Sequence, residues 1–120
     1  MLNLDTHILV HALSDTLTPA ERKLLETDTW GISAIVLWEL AKLAQLDRIE
    51  IDMECTGFTR LFARIHVWPL DRDVCLQSTR LDFESDPADE LIAATSIVHG
   101  APLVTRERKI RRSKTVPLAH

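Results

Sequence analysis

The sequence predicts a single α/β domain, residues 1–120, built as a mainly parallel sheet between layers of helices. Three observations carry this reading. Short apolar, β-prone segments alternate with stretches whose apolar residues recur at helical spacing. The connections between them are short, a pattern that belongs to parallel sheets with helical crossovers rather than to hairpins. No repeat, low-complexity tract or linker divides the chain, and its 120 residues suffice for one core but not two.

Leu2-Asn3-Leu4 starts a strand that ends at Asp5, and Thr6 to Leu13 then carries a helical rhythm. Thr18-Pro19-Ala20-Glu21 combines an N-cap, a proline at the first helical position and the glutamate of a capping box, so a second helix opens there with Leu24 and Leu25 facing inward. Thr29 to Ile32 is β-prone, and Ser33 is placed to cap a long helix from Ala34 to about Leu46. That helix is apolar nearly all round, which suits burial. Its polar positions, Glu39, Lys42 and Gln45, share one side. Glu39 therefore either pairs with Lys42 in solvent or faces something other than bulk water.

Residues 47–53 read as a loop with a possible short strand, followed by a helix from about Glu54 to Arg64. Val67 to Leu70 is the next strand, its end weakened by Pro69. Asp71 caps a helix from Arg72 to Leu81, and Asp86-Pro87 opens another that stops at Gly100. Leu103-Val104-Thr105 is a short strand, and Thr115-Val116 is a last β-prone piece.

The composition, 46% hydrophobic and 27% charged, is that of a globular chain. No apolar run approaches the roughly 18 residues of a membrane span, and the N-terminus lacks the basic and apolar regions of a secretory leader. A cytoplasmic location without a membrane partner is the expectation. Cys55 and Cys75 form neither a metal-spaced pair nor a disulfide framework and read as buried thiols. The net charge of −4 hides an asymmetry, because residues 106 to 114 carry Arg106, Arg108, Lys109, Arg111, Arg112 and Lys114 against Glu107 alone. Such a run is either a solvated surface or a patch that neutralises the phosphates of a polyanion without reading its bases.

In parallel sheets ligands bind outside the carboxyl ends of the strands. Asp5 and Glu107 follow strands, Asp89 lies in the first turn of a helix, and Glu39 lies in the helix after the second strand, so all four can reach one edge. Each has a local explanation too, since acids at helix starts satisfy free N–H groups and the macrodipole. Together they repel one another unless a cation is present, and an all-oxygen donor set without a Cys or His constellation suits Mg²⁺ or Mn²⁺ rather than Zn²⁺. Those ions stabilise charge on a phosphoryl group and activate water. Asp5, Glu39 and Asp89 are the candidate ligands, with Glu107 placing a second ion or the water. Thr105 is available as an added hydroxyl contact. His7 and His11, four apart on one helix, have no third ligand.

Leu4-Asp5-Thr6-His7, Ile32-Ser33-Ala34 leading to Trp38-Glu39-Leu40, Asp86-Pro87-Ala88-Asp89 before Leu91-Ile92-Ala93-Ala94, and Leu103-Val104-Thr105-Arg106 occur in this order across essentially the whole chain. Together they resemble a PIN domain, and within it the VapC-type toxins of bacterial toxin–antitoxin modules. The resemblance implies a three-layer α/β/α fold and a metal-dependent endoribonuclease acting on RNA. It also implies a small cognate antitoxin whose C-terminal segment lies over the acidic groove, and a homodimer. The acids it implies are Asp5, Glu39, Asp89 and the position held by Glu107, where the family usually has the shorter Asp. Asp86 is a helix cap first and an auxiliary ligand second. Arg106, Arg108, Lys109, Arg111 and Arg112 are the candidate RNA-phosphate contacts. Trp30, Trp38 and Trp68 read as core or dimer-interface residues. The competing reading is an inactive module that keeps the acidic pocket and binds RNA or a partner protein. A haloacid-dehalogenase-like phosphatase is disfavoured by His7, which stands where a second Asp belongs, and a response-regulator receiver by the lack of paired acids near the first strand.

Overall fold

A computed structural model describes residues 1–120. Its sheet has four strands: β1 (Leu2–Leu4), β2 (Trp30–Ser33), β3 (His66–Trp68) and β4 (Leu103–Val104). They are ordered β3-β2-β1-β4, every neighbouring pair parallel. The central position of β1 follows from its composition. Leu2, Asn3 and Leu4 are all buried, and because successive side chains point to opposite faces, both faces of this strand are covered by other elements. Seven helices supply that cover: α1 (Thr6–Leu13), α2 (Pro19–Leu25), α3 (Ala34–Gln45), α4 (Thr56–Phe62), α5 (Arg72–Ser78), α6 (Pro87–His99) and α7 (Arg108–Arg111). The result is the three-layer α/β/α domain expected from the alternation of strand and helix. None of the helices is long and apolar enough to cross a membrane.

The core joins Leu4, Ile8 and Leu9 to Ile32 of β2, Val36 and Leu40 of α3, Ile92 and Ala93 of α6, and Leu103 of β4. Asn3 is the one fully polar side chain in the middle of β1. Its amide donates to the Ile92 carbonyl at 3.1 Å and to the Ser96 hydroxyl at 2.8 Å, which locks α6 to the strand that carries Asp5. Gly31 lets Trp68 lie across β2, because a Cβ there would stand 2.5 Å from the indole ring. Gly100, at φ 62°, closes α6 in the left-handed conformation glycine adopts without strain.

Local signals fixed several elements. The capping box of α2 is complete, with the Glu21 N–H donating to Thr18 Oγ1 at 3.1 Å and the Thr18 N–H to Glu21 Oε1 at 2.9 Å. Asp71 caps α5 through the Val74 N–H at 3.0 Å, although that helix ends at Ser78 rather than Leu81.

Several expectations need correction. Residues 47–53 contain no strand, and Thr115-Val116 forms none, its place on the sheet being taken by a single parallel bridge from Leu118 to Leu103. The helix after that loop is only Thr56–Phe62. Cys55 and Cys75 are exposed: Cys55 is the N-cap of α4, its sulfur accepting from the Phe58 N–H at 3.4 Å, and Cys75 lies beside Val74, which takes the inward position on α5. Helix α3 buries only Val36 and Leu40 fully and leaves Trp38 56% exposed, so its all-round apolarity does not mean all-round burial. The basic run is partly helical, because Ile110, 1% exposed, anchors α7 in the core and turns the neighbouring cations outward.

Candidate active site

Parallel register brings the acids to one edge. Leu4 pairs with Val104, so Asp5 and Thr105 leave adjacent strands side by side. Asp5 is the N-cap of α1, its Oδ1 accepting from the Ile8 N–H at 2.8 Å, and it is 5% exposed. Asp89 stands in the first turn of α6, its Oδ2 accepting from the Ser85 hydroxyl at 3.1 Å. Glu107 is the N-cap of α7, its carboxylate accepting from the Lys109 N–H at 3.4 Å while its own N–H donates to Thr105 Oγ1 at 3.0 Å. Asp5, Asp86, Asp89 and Glu107 line one cleft of about 290 Å³ together with His7, His11 and Arg106.

Glu39 is not part of the cleft wall. It is half-buried on α3 and accepts a hydrogen bond from the Thr6 hydroxyl, one residue beyond Asp5. The alternative of a solvent pair with Lys42 is not what forms: the Lys42 ammonium donates to Gln45 Oε1 at 3.1 Å and stands 5.9 Å from the Trp38 ring centroid. Asp86 occupies the N-cap position of α6 but makes no side-chain cap bond, so its role as a cap is corrected to one of lining the cleft. Trp68 is buried and Trp30 half-buried, the latter donating its indole N–H to the Leu25 carbonyl at 2.8 Å, which makes both core residues.

Burial raises the pKa of Asp5 above the usual carboxylate range, against the Thr105 hydroxyl and Ile8 N–H that favour its charged form, and the charge of Asp89 raises it further. Glu39 is raised for the same first reason, with Asp89 and Asp5 adding to it and the Thr6 hydroxyl opposing. Asp89 is raised by burial, opposed by Ser85, and pushed further by Glu107 and Asp86. Burial is the main cause in all three, and the mutual repulsion of neighbouring carboxylates adds to it. No three His, Cys, Asp or Glu side chains are grouped closely enough to hold one ion between them.

Of the expected phosphate contacts, two are already engaged. Arg106 forms a two-point pair with Glu21, Nε to Oε2 at 2.7 Å and Nη2 to Oε1 at 2.6 Å, which holds the Glu21 carboxyl down at about 2. Its Nη1 lies 3.0 Å from His11 Nε2, so that nitrogen accepts and His11 Nδ1 donates to Thr16 Oγ1 at 2.6 Å. Arg111 gives one N–H to the Thr105 carbonyl at 3.0 Å. Arg108, Lys109 and Arg112 are exposed and unpaired. Thr6, Ser85 and Glu21 were not singled out from the sequence as site residues. Only Thr6, adjacent to Asp5, carried any signal of its place.

Fold and site define a small α/β domain with an acidic cleft at the carboxyl edge of a parallel sheet. The chain belongs to the PIN domain family, whose model matches residues 3–115. It is 33% identical to the ribonuclease VapC22 of Mycobacterium tuberculosis over 115 residues, which is 90% of this chain and 88% of that protein. Among solved structures, the fold is similar to a chain of FitAcB from Neisseria gonorrhoeae, with a TM-score of 0.75 at 23% identity over 100% of this chain and 97% of that one. It is also similar to a chain of VapBC2 from Rickettsia felis bound to a DNA fragment from its promoter, with a TM-score of 0.73 at 24% identity over 98% and 97%.

Proposed function

We propose that the chain is a divalent-metal-dependent endoribonuclease, the toxin of a toxin–antitoxin pair, with Asp5, Glu39, Asp89 and Glu107 as its working acids. The observation that carries this is the meeting of Asp5, Asp89 and Glu107 in one cleft, with Glu39 close behind, in a homologue of a VapC ribonuclease.

The donor set fits a hard divalent cation by its chemistry: it is all-oxygen and anionic, and its acids lie near enough that Asp89 disfavours the charge of both Asp5 and Glu39. Asp5 and Asp89 would hold Mg²⁺ or Mn²⁺. Glu39 would join with the Thr6 hydroxyl holding its orientation through one carboxylate oxygen, Glu107 by exchanging the Lys109 N–H for the ion, and Asp86 would help from the rim. The ion, when bound, supplies Lewis-acid stabilisation of the phosphoryl oxygens and an activated water. The chain's own residues do the rest. Ser85 and the Ile8 N–H fix the orientation of Asp89 and Asp5. Arg108, Lys109 and Arg112 attract the RNA backbone, and Arg106, held by Glu21 at the cleft wall, meets the phosphate nearest the acids. The proposed reaction on cellular RNA supports the reading of a cytoplasmic protein.

An antitoxin segment would cover the cleft, and Trp38, exposed on α3, would lie at a contact with it or with a second copy in a homodimer. The second reading, a binding module without catalysis, draws on the absence of any preformed three-residue metal group. Incubating the purified protein with total cellular RNA, with EDTA, Mg²⁺ or Mn²⁺, and mapping new ends decides between them. Discrete new ends only with metal support the nuclease; RNA retained uncut under every condition supports the binding module.

A further inference from the structure

Beside the acidic cleft lies a second and larger cavity of about 440 Å³, whose lining includes Ala20, Glu21, Leu24, Arg106, Arg111 and Ala119. Arg106 forms part of both walls, so the two concavities are neighbours across one guanidinium. The size falls within the roughly 300–1,000 Å³ of small-molecule sites. We propose that this cavity is a nucleotide subsite: it takes the nucleotide next to the scissile phosphate, its phosphate on Arg111 and Arg106 and its base or ribose against Ala20, Leu24 and Ala119. The inference rests on the nuclease reading for the placement of the scissile phosphate, not for the pocket itself.

Two features favour this ligand. Both guanidiniums are held before anything binds, Arg106 by its two-point pair with Glu21 and Arg111 by the Thr105 carbonyl on a helix anchored by buried Ile110. Fixing an anion-binding group in advance removes the ordering cost of binding. Arg111 spends one N–H on that carbonyl and keeps its others, in the planar array that matches phosphate oxygens. Glu21, the acid in the wall, and Arg106 compensate each other's charge, so Arg111 supplies the uncompensated positive charge and Arg106 its free N–H groups. Ala20, Leu24 and Ala119 give the lining an apolar surface that accepts the flat side of a base without demanding a particular one, and the His120 imidazole lines the same cavity. An RNA strand whose phosphate reaches Asp5 and Asp89 can place a neighbouring nucleotide beyond Arg106, where this cavity lies.

The test is a titration of ¹⁵N-labelled, metal-free protein with 5′-AMP, and separately with inorganic phosphate and with an acidic peptide, reading amide shifts. Ala20→Trp fills the cavity without removing a charge, and Arg111→Gln removes the anion contact without filling it. The expected result is a saturable response to 5′-AMP at Ala20, Leu24, Arg111 and Ala119, weaker with phosphate, and lost in both folded variants. With RNA, Ala20→Trp should raise KM for cleavage roughly tenfold while leaving kcat and metal requirement near wild type. A 5′-AMP response confined to the acidic cleft, an equal response in Ala20→Trp, or a response to the peptide and none to 5′-AMP would overturn the proposal. If the wild-type protein cuts no RNA yet 5′-AMP still shifts these residues, the nuclease reading falls and the pocket stands as a nucleotide site.

Discussion

The Thr6 hydroxyl donates to the Glu39 carboxylate, and this one bond links the turn after Asp5 to the middle of helix α3, 33 residues away in sequence. It opposes the burial that disfavours the charged form of Glu39. Thr6→Val keeps the shape and removes the donor. Metal affinity should then fall by roughly ten- to a hundredfold, as is usual for groups that orient a ligand, and the pH profile of binding should move upward. Thr6→Ser should restore both. Calorimetric Mn²⁺ titrations of the three proteins check this, and identical affinities would mean that Glu39 plays no part in metal binding.

The acids also set how stability depends on pH. Asp5, Glu39 and Asp89 have folded-state pKa values above their unfolded ones, so the folded protein binds more protons and metal-free stability falls as pH rises from the ordinary carboxylate range through the raised values. Glu21 works in the opposite sense. Its pKa of about 2 makes its contribution complete above 4.5 and lost as pH falls toward 2. Asp89→Asn should therefore leave metal-free stability unchanged or raise it at neutral pH, with the difference shrinking as the solution is acidified. Urea denaturation across a pH series reads this, and a destabilised Asp89→Asn at neutral pH would show that the carboxylates are not repelling.

Much of this frame was legible locally. Thr18, Pro19 and Glu21 announce α2, Gly100 announces the end of α6, and Asp5 announces the end of β1 because each acts within a few residues of itself. What was not legible depends on distant partners. Ile110 is a lone apolar residue in a basic run, and nothing nearby says that it is buried deeply enough to hold a helix. Cys55 looks like a core thiol until it is seen to cap α4. Asp86 has every local mark of a cap yet makes no such bond, and the pairing of Glu21 with Arg106 spans 85 residues.

The basic residues should separate into two classes. Arg108 and Arg112 are exposed and free, so changing both to Ala should weaken RNA binding alike for all sequences and reduce the log–log salt slope by about 1–2. Arg106→Ala, by contrast, also releases Glu21 beside the cleft and should lower cleavage more than binding. Fluorescence anisotropy at several salt concentrations distinguishes the two, and an unchanged slope in the double variant would make the run ordinary solvated surface.

Glu107 lines the cleft and raises the pKa of Asp89, and it pairs with neither Arg106 nor Arg108. Although it caps α7, it should therefore act on the metal rather than on the arginine side chains of the basic run. Glu107→Asp should keep or raise activity at limiting metal, and Glu107→Gln should raise the metal concentration required without abolishing cleavage at saturation. Coincident metal titrations for all three proteins would reduce the site to Asp5, Glu39 and Asp89.

The most direct measurement compares cleavage of total cellular RNA by the wild-type protein, Asp5→Asn and Asp89→Asn at saturating Mg²⁺ or Mn²⁺, with circular dichroism confirming that each is folded. Asparagine preserves the side-chain oxygen that caps α1 while deleting the charge. The expected result is discrete new RNA ends from the wild type and a rate at least about a hundredfold lower from each variant. Cleavage at the parental rate by both folded variants would contradict the assignment of these acids as the metal site.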